Sequence, residues 1–303
     1  MSNSRFYSNG KLLLTGEYAV LDGALALAIP TRFGQRLEIT ENPSGQLSWQ
    51  SFDADGSSWF EATFSVAQLE PLATSHPQMA ARLGAILKAA RKKNTTFLAK
   101  GTGIVVKTHT TFPRDWGLGT SSTLINNIAE WAHVDPYALL QASFGGSGYD
   151  IACASHTTAL LYQLQGKTPK IKAVSFAPSF KEQLFFVYLN QKQNSEAAVA
   201  LYNQKHFDRT HFITEISELT RQFISAETLE SFEAIIARHE ACMSAVLDQP
   251  PVKERLFPDY FGAIKSLGAW GGDFILVTGN EKTPDYFAAR GFHTILSFEE
   301  MAL

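Results

Sequence analysis

The chain has 303 residues, of which 45% are hydrophobic, so it is long enough for two domains or one large α/β unit. Its net charge is −3 and its charges are mixed, which excludes the basic stripe typical of nucleic-acid binding. Cys153 and Cys242 are too few for a disulfide framework and lack metal-ligand spacing. The N-terminus lacks an apolar signal segment, and no apolar run approaches the roughly 20 residues that span a bilayer. We therefore expect a cytoplasmic protein with no nucleic-acid or membrane partner.

The first half of the chain predicts a layer of strands followed by helices. Apolar or alternating segments bounded by turn residues indicate strands over residues 11–20, 24–29, 36–40, 46–50, 59–65, 103–111, 159–163 and 173–176. Apolar residues at helical spacing indicate helices over residues 77–92 and 121–133, and Pro136 opens a shorter one.

We place a domain boundary near Pro178, which gives an N-terminal domain of residues 1–177 and a C-terminal domain of residues 178–303. Beyond the boundary, strands are indicated over residues 184–189, 274–278 and 293–297, and helices over residues 195–204, 210–223, 227–247, 252–267 and 284–290. This order of elements predicts a compact α+β second half.

A glycine-rich turn is the first candidate for a functional site. The segment Pro113-Arg-Asp-Trp-Gly-Leu-Gly-Thr-Ser-Ser-Thr123 lies between a predicted strand and a predicted helix. Glycine allows positive φ and close approach to an anion, and a helix N-terminus offers unpaired N–H groups to a phosphate. An ordinary glycine turn with a serine cap fits the same residues, and the Gly-Lys-Ser/Thr of a P-loop does not follow.

Three further segments combine glycine with charge. Lys11 and Glu17 lie in an otherwise apolar strand, where a charge is costly unless it is paired or used, although an edge lysine can also reach water. Asp150 follows Gly145-Gly-Ser-Gly-Tyr, which suits a base in a partly dry site or an Asx turn. The segment Lys265-Ser-Leu-Gly-Ala-Trp-Gly-Gly-Asp273 ends a predicted helix and precedes a strand, as a glycine C-cap also does.

In this order and combination, the four segments resemble the GHMP kinase superfamily, which includes galactokinase, homoserine kinase, mevalonate kinase and phosphomevalonate kinase. The resemblance covers nearly the whole chain. It implies a two-domain α+β fold, with an N-terminal domain resembling ribosomal protein S5 and a ferredoxin-like C-terminal domain. It also implies an ATP-dependent phosphotransferase that uses ATP and Mg²⁺.

The resemblance assigns roles to individual residues. The phosphate loop falls on Gly117, Leu118, Gly119, Thr120, Ser121 and Ser122. Within it, Ser121 matches a serine that contacts magnesium. Asp150 matches the acidic base or electrostatic partner, and Lys11 matches the lysine that lies beside it. The late glycine loop falls on Gly268, Ala269, Gly271, Gly272 and Asp273.

Some details resemble the phosphomevalonate kinase branch, and hence imply a small-molecule acceptor from the mevalonate pathway of isoprenoid biosynthesis. Gly16-Glu-Tyr18 and Gly146-Ser-Gly-Tyr-Asp150 resemble segments of that branch, and Lys192-Gln-Asn-Ser-Glu196 resembles one of its helix starts. The candidate acceptor contacts are therefore Glu17, Tyr18, Ser147, Gly148, Lys192 and Ser195.

Two features depart from the family pattern. Trp270 replaces a glycine of the late loop, and the segment between Ser121 and Asp150 is short, so the acidic magnesium ligand of mevalonate kinases has no clear match. The alternatives are therefore a mevalonate kinase and, from another class, a catalytically silent nucleotide-binding protein of the same fold. A diphosphomevalonate decarboxylase fits the motifs less well. The sequence leaves both a monomer and a homodimer open.

Overall fold

The structure, a computed structural model, describes residues 3–99, 101–192, 195–270 and 272–303, with only the backbone described for Ser195 and Glu196. The chain divides into two compact units. The first consists of Met1–Gly10, Phe33–Arg114 and Leu118–Ser155, and the second of Lys11–Arg32, Asp115–Gly117 and His156–Leu303. Strands β1 (Asn3–Thr15) and β2 (Ala26–Asn42) pair with each other, and each contributes residues to both units.

The first unit contains a sheet in the order β5-β4-β3-β6-β2. Its strands besides β2 are β3 (Gln46–Phe52), β4 (Ser58–Ser65), β5 (Pro71–Thr74) and β6 (Gly103–Thr110). Strands β3 and β6 run parallel, and the other neighbours run antiparallel. In β3, Leu47, Trp49 and Ser51 are buried and alternate with more exposed residues, which is the period of two expected for a sheet with one face in the core.

The helices of the first unit are α1 (Pro77–Lys93), α2 (Thr120–Ala132), α3 (Pro136–Ser143) and α4 (Tyr149–Ser155). Helix α1 has proline in its first turn and buries one face that includes Leu83, Leu87 and Ala90. Helix α2 packs against α1, α3 and α4. The core between these helices and the sheet includes Trp49, Phe60, Phe64, Leu83, Ile125 and Ile128.

The second unit contains an antiparallel sheet in the order β10-β11-β9-β12. Its strands are β9 (Leu184–Tyr188), β10 (Ile264–Ser266), β11 (Phe274–Thr278) and β12 (Ile295–Ser297). All residues of β11 are buried, as expected for an inner strand covered on both faces. A hairpin of β7 (Leu160–Gln165) and β8 (Thr168–Ala173) pairs with the first residues of β2.

The helices of the second unit are α5 (Ser195–Gln204), α6 (Arg209–Ser225), α7 (Leu229–Leu247), α8 (Val252–Leu256), α9 (Thr283–Ala288) and α10 (Phe298–Met301). Asp208 and Thr228 cap α6 and α7 by accepting hydrogen bonds from first-turn amides. Helix α7 packs against α6 and β10. Among the described residues, no helix is both long and apolar enough to cross a membrane.

The predicted α+β class is confirmed, but the predicted helix over residues 252–267 is wrong. Helix α8 ends at Leu256, and Ile264–Ser266 form strand β10 instead. The reason is Pro258, which has no N–H group and disfavours helical backbone at the residue before it, Phe257. The segment from Lys265 to Asp273 therefore begins in a strand rather than at a helix end.

The start of the chain also differs from the prediction. The first strand ends at Thr15 rather than at residue 20, because Gly16 takes φ 88° and a 3-10 turn follows over Ala19–Asp22. The strands predicted over residues 24–29 and 36–40 form the single strand β2. The strand predicted over residues 173–176 lies earlier, as β8. The short elements β5, α4 and α10 were not predicted.

Candidate active site

The glycine turn leads into α2 with the backbone geometry that the sequence predicts. Gly117 and Gly119 have φ of 68° and 94°, in the left-handed region that glycine adopts most easily. Gly119 is the N-cap residue of α2 and has no side chain to accept a hydrogen bond from the first-turn amides. The first N–H groups of α2, which no intrahelical carbonyl can pair with, therefore point toward any anion held by this turn.

The hydroxyl groups at the start of α2 differ in their surroundings. The Ser122 hydroxyl donates to the Gly119 carbonyl at 2.9 Å, and the Thr123 hydroxyl lies 3.1 Å from the same oxygen. Ser121 is exposed and Thr120 is half-buried. The Ser122 hydroxyl is thus hydrogen-bonded to the backbone, whereas the Ser121 side chain is accessible to solvent.

A buried polar network fixes α2 to the strands beneath it. The Ser8 hydroxyl donates to Asn127 Oδ1 at 2.8 Å, and Asn126 Nδ2 donates to Ser8 Oγ at 3.0 Å. Asn127 Nδ2 also donates to the Gln35 carbonyl at 3.0 Å. These residues were not predicted, although two consecutive asparagines in a largely apolar helix are a usable signal. Because buried amides are costly when unpaired, the network holds the start of α2 in one orientation.

Asp150 lies in the first turn of α4, within the same unit as α2. It is half-buried, and its Oδ1 accepts a hydrogen bond from the Ile151 amide at 3.0 Å. Ser147 and Gly148, two predicted acceptor contacts, are buried directly before this helix. Since α4 packs against α2, Asp150 and the phosphate loop lie on neighbouring helices of the first unit.

In the second unit, two predicted site residues, Lys11 and Asp273, come together around Gly117. Lys11 Nζ donates to the Gly117 carbonyl at 2.8 Å. On its other side Gly117 faces Asp273, because a Cβ atom added at Gly117 would lie 2.5 Å from the Asp273 carboxylate. The first-strand lysine, the start of the glycine turn and the end of the late loop therefore share one location, and no residue other than glycine fits between them.

Asp273 is itself held firmly by the backbone. Its amide donates to the Gln191 carbonyl at 2.7 Å, and its carbonyl accepts from the Leu189 amide at 2.8 Å. Its φ of 54° is uncommon for a residue with a side chain, and such conformations persist only where the surroundings enforce them. The Tyr188 hydroxyl, one residue from this pairing, donates to the Asp115 carbonyl at 3.1 Å and so supports the segment that carries Gly117.

A buried ionic cluster lies behind the late loop. Lys265 Nζ donates to Glu17 Oε1 at 2.5 Å and lies 3.2 Å from Glu240 Oε1. His239 Nε2 lies 3.5 Å from Glu17 Oε2. The side chains of Lys265, Glu17 and His239 are fully buried, and that of Glu240 is 5% exposed. Glu17 was predicted as an acceptor contact, and Lys265 begins a segment already noted for its glycines and charge. His239 and Glu240 were not predicted, although polar residues in a partly apolar helix signal them.

Burial shifts the pKa values of Glu17 and His239 in opposite directions. Loss of hydration raises the pKa of Glu17 to about 7, although the nearby Lys265 ammonium opposes the shift. Loss of hydration, together with the Lys265 charge, holds the pKa of His239 well below its usual value. Glu17 therefore titrates near neutral pH, while His239 stays neutral there.

The remaining predicted site residues are distributed as follows. Leu118 is fully buried, and the Ala269 carbonyl accepts a hydrogen bond from the Tyr18 hydroxyl at 2.8 Å. Gly268 has φ 60°, Gly272 is buried and Lys192 is exposed. Gly271 and the Ser195 side chain lie outside the described residues. Lys11 belongs to the second unit and Asp150 to the first, and their predicted proximity stays a prediction, as does the domain boundary near Pro178.

The residue types of the site bear on the expected Mg²⁺. Within the described ranges, no group of three or more His, Cys, Asp or Glu side chains could hold a metal ion. Magnesium in phosphoryl-transfer sites needs few protein ligands, because it keeps water and substrate phosphates as ligands. A single exposed oxygen such as the Ser121 hydroxyl is compatible with that mode of binding.

Comparison with known proteins identifies the fold. No protein-family model and no curated protein sequence matches the chain. Among solved structures, Methanococcus jannaschii mevalonate kinase is similar with a TM-score of 0.70 and 15% identity over 95% of this chain and 94% of that one. Streptococcus pneumoniae phosphomevalonate kinase in complex with phosphomevalonate and AMPPNP gives 0.67 and 16%, over 95% of each chain.

Lactococcus lactis galactokinase complexed with galactose is similar as well, with a TM-score of 0.67 and 11% identity over 100% of this chain and 94% of that one. The chain thus has the fold of these small-molecule kinases over nearly its whole length. This confirms the fold class that the resemblance implied.

The ionic cluster makes a prediction about the pH dependence of stability. Because the pKa of Glu17 is raised from 4.5 to about 7 on folding, the folded state binds the Glu17 proton more tightly than the unfolded state does. Its contribution to stability is present at acidic pH and is lost as pH rises from about 4.5 to 7. The free energy of unfolding of the parent, minus that of Glu17→Gln, should fall by roughly 3 kcal/mol between pH 4.5 and 7.5 and then level off.

Urea titrations at half-unit pH intervals measure this difference. The comparison removes the contributions of ionisable groups that lie far from Glu17. A difference curve that is flat across this range would show that Glu17 does not titrate as described.

Proposed function

We propose that this protein is an ATP-dependent small-molecule kinase whose acceptor is of the mevalonate type, with phosphomevalonate favoured over mevalonate. The observation that carries the proposal is the bond from the Lys11 ammonium to the carbonyl of Gly117, where the glycine turn into α2 begins. It places a positive charge beside a turn whose geometry suits a phosphate. The fold, which is that of several small-molecule kinases, supports the same conclusion.

In this proposal the backbone from Gly117 to Ser122 binds the terminal phosphates of ATP. Positive φ at both glycines lets the main chain approach the phosphates closely, and the first amides of α2 donate to their oxygens. Mg²⁺, when bound, would neutralise phosphate charge, and Ser121 is the residue that would contact it. The buried asparagines of α2 keep this set of donors in place.

Lys11 and Asp150 carry the chemical step in this proposal. Phosphoryl transfer depends mainly on positioning and on stabilising the charge of the transferred group. The Lys11 ammonium supplies that stabilisation. If a hydroxyl attacks, Asp150 accepts its proton, whereas an attacking phosphate is already anionic and Asp150 would mainly orient it.

The acceptor assignment rests on sequence motifs together with the fold. Streptococcus pneumoniae phosphomevalonate kinase, which shares the fold, was solved with phosphomevalonate and AMPPNP. The Gly16-Glu-Tyr18 segment and the segment around Ser147 and Gly148 are the motifs that favour this branch. A phosphorylated acceptor needs additional cationic donors, and we assign that role to Lys192, which is exposed, together with the backbone at Ser195.

The nucleotide-binding part of the proposal predicts the effect of Gly119→Val. Gly119 takes φ 94°, which a β-branched residue rarely adopts, and the added side chain would also project beside the first amides of α2. Affinity for AMPPNP should fall by at least about tenfold, as measured by isothermal titration calorimetry. Parental affinity in a folded Gly119→Val protein would remove this turn from the nucleotide site.

The catalytic part predicts the effects of Lys11→Met and Asp150→Asn. Lys11→Met should lower kcat by about 10²–10³ for any acceptor, because the charge of the transferred group is common to all of them. Asp150→Asn should lower kcat by about 10²–10⁴ if a hydroxyl attacks and by less if a phosphate attacks, with little change in the KM for ATP.

Steady-state kinetics of both variants, after circular dichroism has verified their folding, measure these effects. Lys93→Met offers a matched control, since it removes a lysine from the exposed end of α1. Parental kcat in folded Lys11→Met would contradict the mechanism.

A further inference from the structure

Tyr18 lies at the centre of a strained turn. Its φ and ψ are 58° and −48°, and the Ala19 amide donates to the Glu17 carbonyl at 2.6 Å. A hydrogen bond between residues two apart, around a residue of positive φ, defines the rarer and more strained form of the γ-turn. Such a conformation persists only where neighbouring groups enforce it, and it is found mostly at functional sites.

Three contacts within the second unit enforce this turn. The Glu17 carboxylate accepts a hydrogen bond from Lys265, the Tyr18 hydroxyl donates to the Ala269 carbonyl at 2.8 Å, and the Tyr18 ring stacks on Tyr202 with centroids 5.2 Å apart. At Gly16, an added Cβ would lie 2.6 Å from the side chain of Ala26 in β2, so the turn is pressed closely against that strand.

The Lys265 ammonium connects this turn to the late glycine loop. Besides Glu17, it contacts Glu240 of α7, whose carboxylate also accepts from the Trp270 indole at 3.3 Å and from the Ser266 hydroxyl at 2.7 Å. Trp270, which departs from the glycine-rich pattern of the loop, is therefore anchored by its ring nitrogen and is only 2% exposed. One buried ammonium thus organises both segments.

The late loop in turn contacts the residue that binds Lys11. It ends at Asp273, whose carboxylate occupies the space beside Gly117, and the Gly117 carbonyl accepts the Lys11 hydrogen bond. A shift of the loop would displace Gly117 and with it the Lys11 ammonium. The contacts therefore run continuously from Lys265, through the late loop, to Lys11.

We propose that Lys265 and Glu17 are positioning residues, whose buried ion pair fixes the Tyr18 turn and the late glycine loop and thereby holds Lys11 in place for phosphoryl transfer. This inference rests on the proposed kinase function for its effect on catalysis. It gives Glu17 a role exerted through Tyr18 and Lys265 rather than by contact with the acceptor.

A role in stability alone explains the cluster poorly. Desolvation of buried charges commonly offsets their attraction, and apolar residues of similar volume are often as stabilising or more so. The raised pKa of Glu17 shows the same cost, since the ionised form is disfavoured by burial. The ionised pair is thus retained at a cost to global stability, while it forms the stronger, charge-assisted hydrogen bond to Lys265.

Glu17→Gln separates the two roles, because the amide keeps the size and an acceptor oxygen but never ionises. At pH 8, where parental Glu17 is ionised, hydrogen exchange at the amides of Trp270 and Asp273 should be about tenfold faster in the variant than in the parent. At pH 6, where Glu17 is mostly protonated, the ratio should be within about twofold. The stability of Glu17→Gln relative to the parent should nevertheless be higher at pH 8 than at pH 6.

The kinetic readout at pH 8 is a fall in kcat of about tenfold with little change in the KM for ATP, and near-parental kcat at pH 6. Met243→Ala is the control, because Met243 is fully buried in the same helix as Glu240 and outside the cluster. It should lower global stability without accelerating exchange selectively in the late loop. Lys265→Met should accelerate the same two amides as Glu17→Gln.

Equal exchange at Trp270 and Asp273 in the parent and Glu17→Gln at pH 8 would overturn the inference. Because exchange needs no turnover, its outcome is independent of the proposed function. Faster exchange in a protein that phosphorylates no acceptor would refute the kinase, and with it the catalytic purpose of the pair, while leaving the loop coupling established.

Discussion

The hydrogen bond from Lys11 Nζ to the Gly117 carbonyl joins β1 to the residue where the chain turns toward α2. The Asp273 carboxylate also packs against Gly117 and leaves no space for a Cβ atom there. Glycine at this position is therefore needed for the arrangement. Asp273 is in turn fixed by backbone hydrogen bonds to Gln191 and Leu189. The first strand with Lys11, the turn at Gly117 and the late loop ending at Asp273 therefore constrain one another. Together they hold the Lys11 ammonium next to a turn suited to phosphate.

Each unit has its own buried polar contacts, which support the candidate site residues within that unit. In the first unit the hydrogen bonds among Ser8, Asn126 and Asn127 orient α2, and Asn126 also donates to the Glu130 carboxylate at 2.9 Å. In the second unit the support is ionic, centred on Lys265, and is costly to bury. The ionic cluster responds to pH near neutrality through Glu17. The buried residues that support the late loop therefore respond to a change of pH near neutrality.

Much of the fold could be predicted from the sequence, because long periodic segments such as α1, α2, α6 and α7 carry their own signal. The predicted helix extended past Leu256 and was wrong, because the local signal of Pro258 was overlooked. The prediction of two separate strands in place of β2 was wrong, because the continuity of β2 depends on pairing with β6 and β7, which are distant in sequence.

The candidate site divides in the same way. Lys11, Gly117, Gly119 and Asp273 were predicted as site residues because their glycine-rich or charged segments occur in an order that resembles a known family. Lys265 meets Glu17, 248 residues earlier in the chain, and Glu240 of α7. Only the folded chain shows that they meet. The strained turn at Tyr18 was equally hidden, since it depends on contacts with Ala269 and Tyr202.

The most direct test of the central claim is the formation of ADP from ATP and Mg²⁺ in the presence of phosphomevalonate, mevalonate, homoserine or galactose, each supplied separately. The account predicts turnover with phosphomevalonate or mevalonate, accompanied by the phosphorylated acceptor in mass spectrometry, and little with homoserine or galactose. Binding of AMPPNP without turnover of any acceptor would contradict it and would identify the chain as a nucleotide-binding protein that has the fold of these kinases but not their activity.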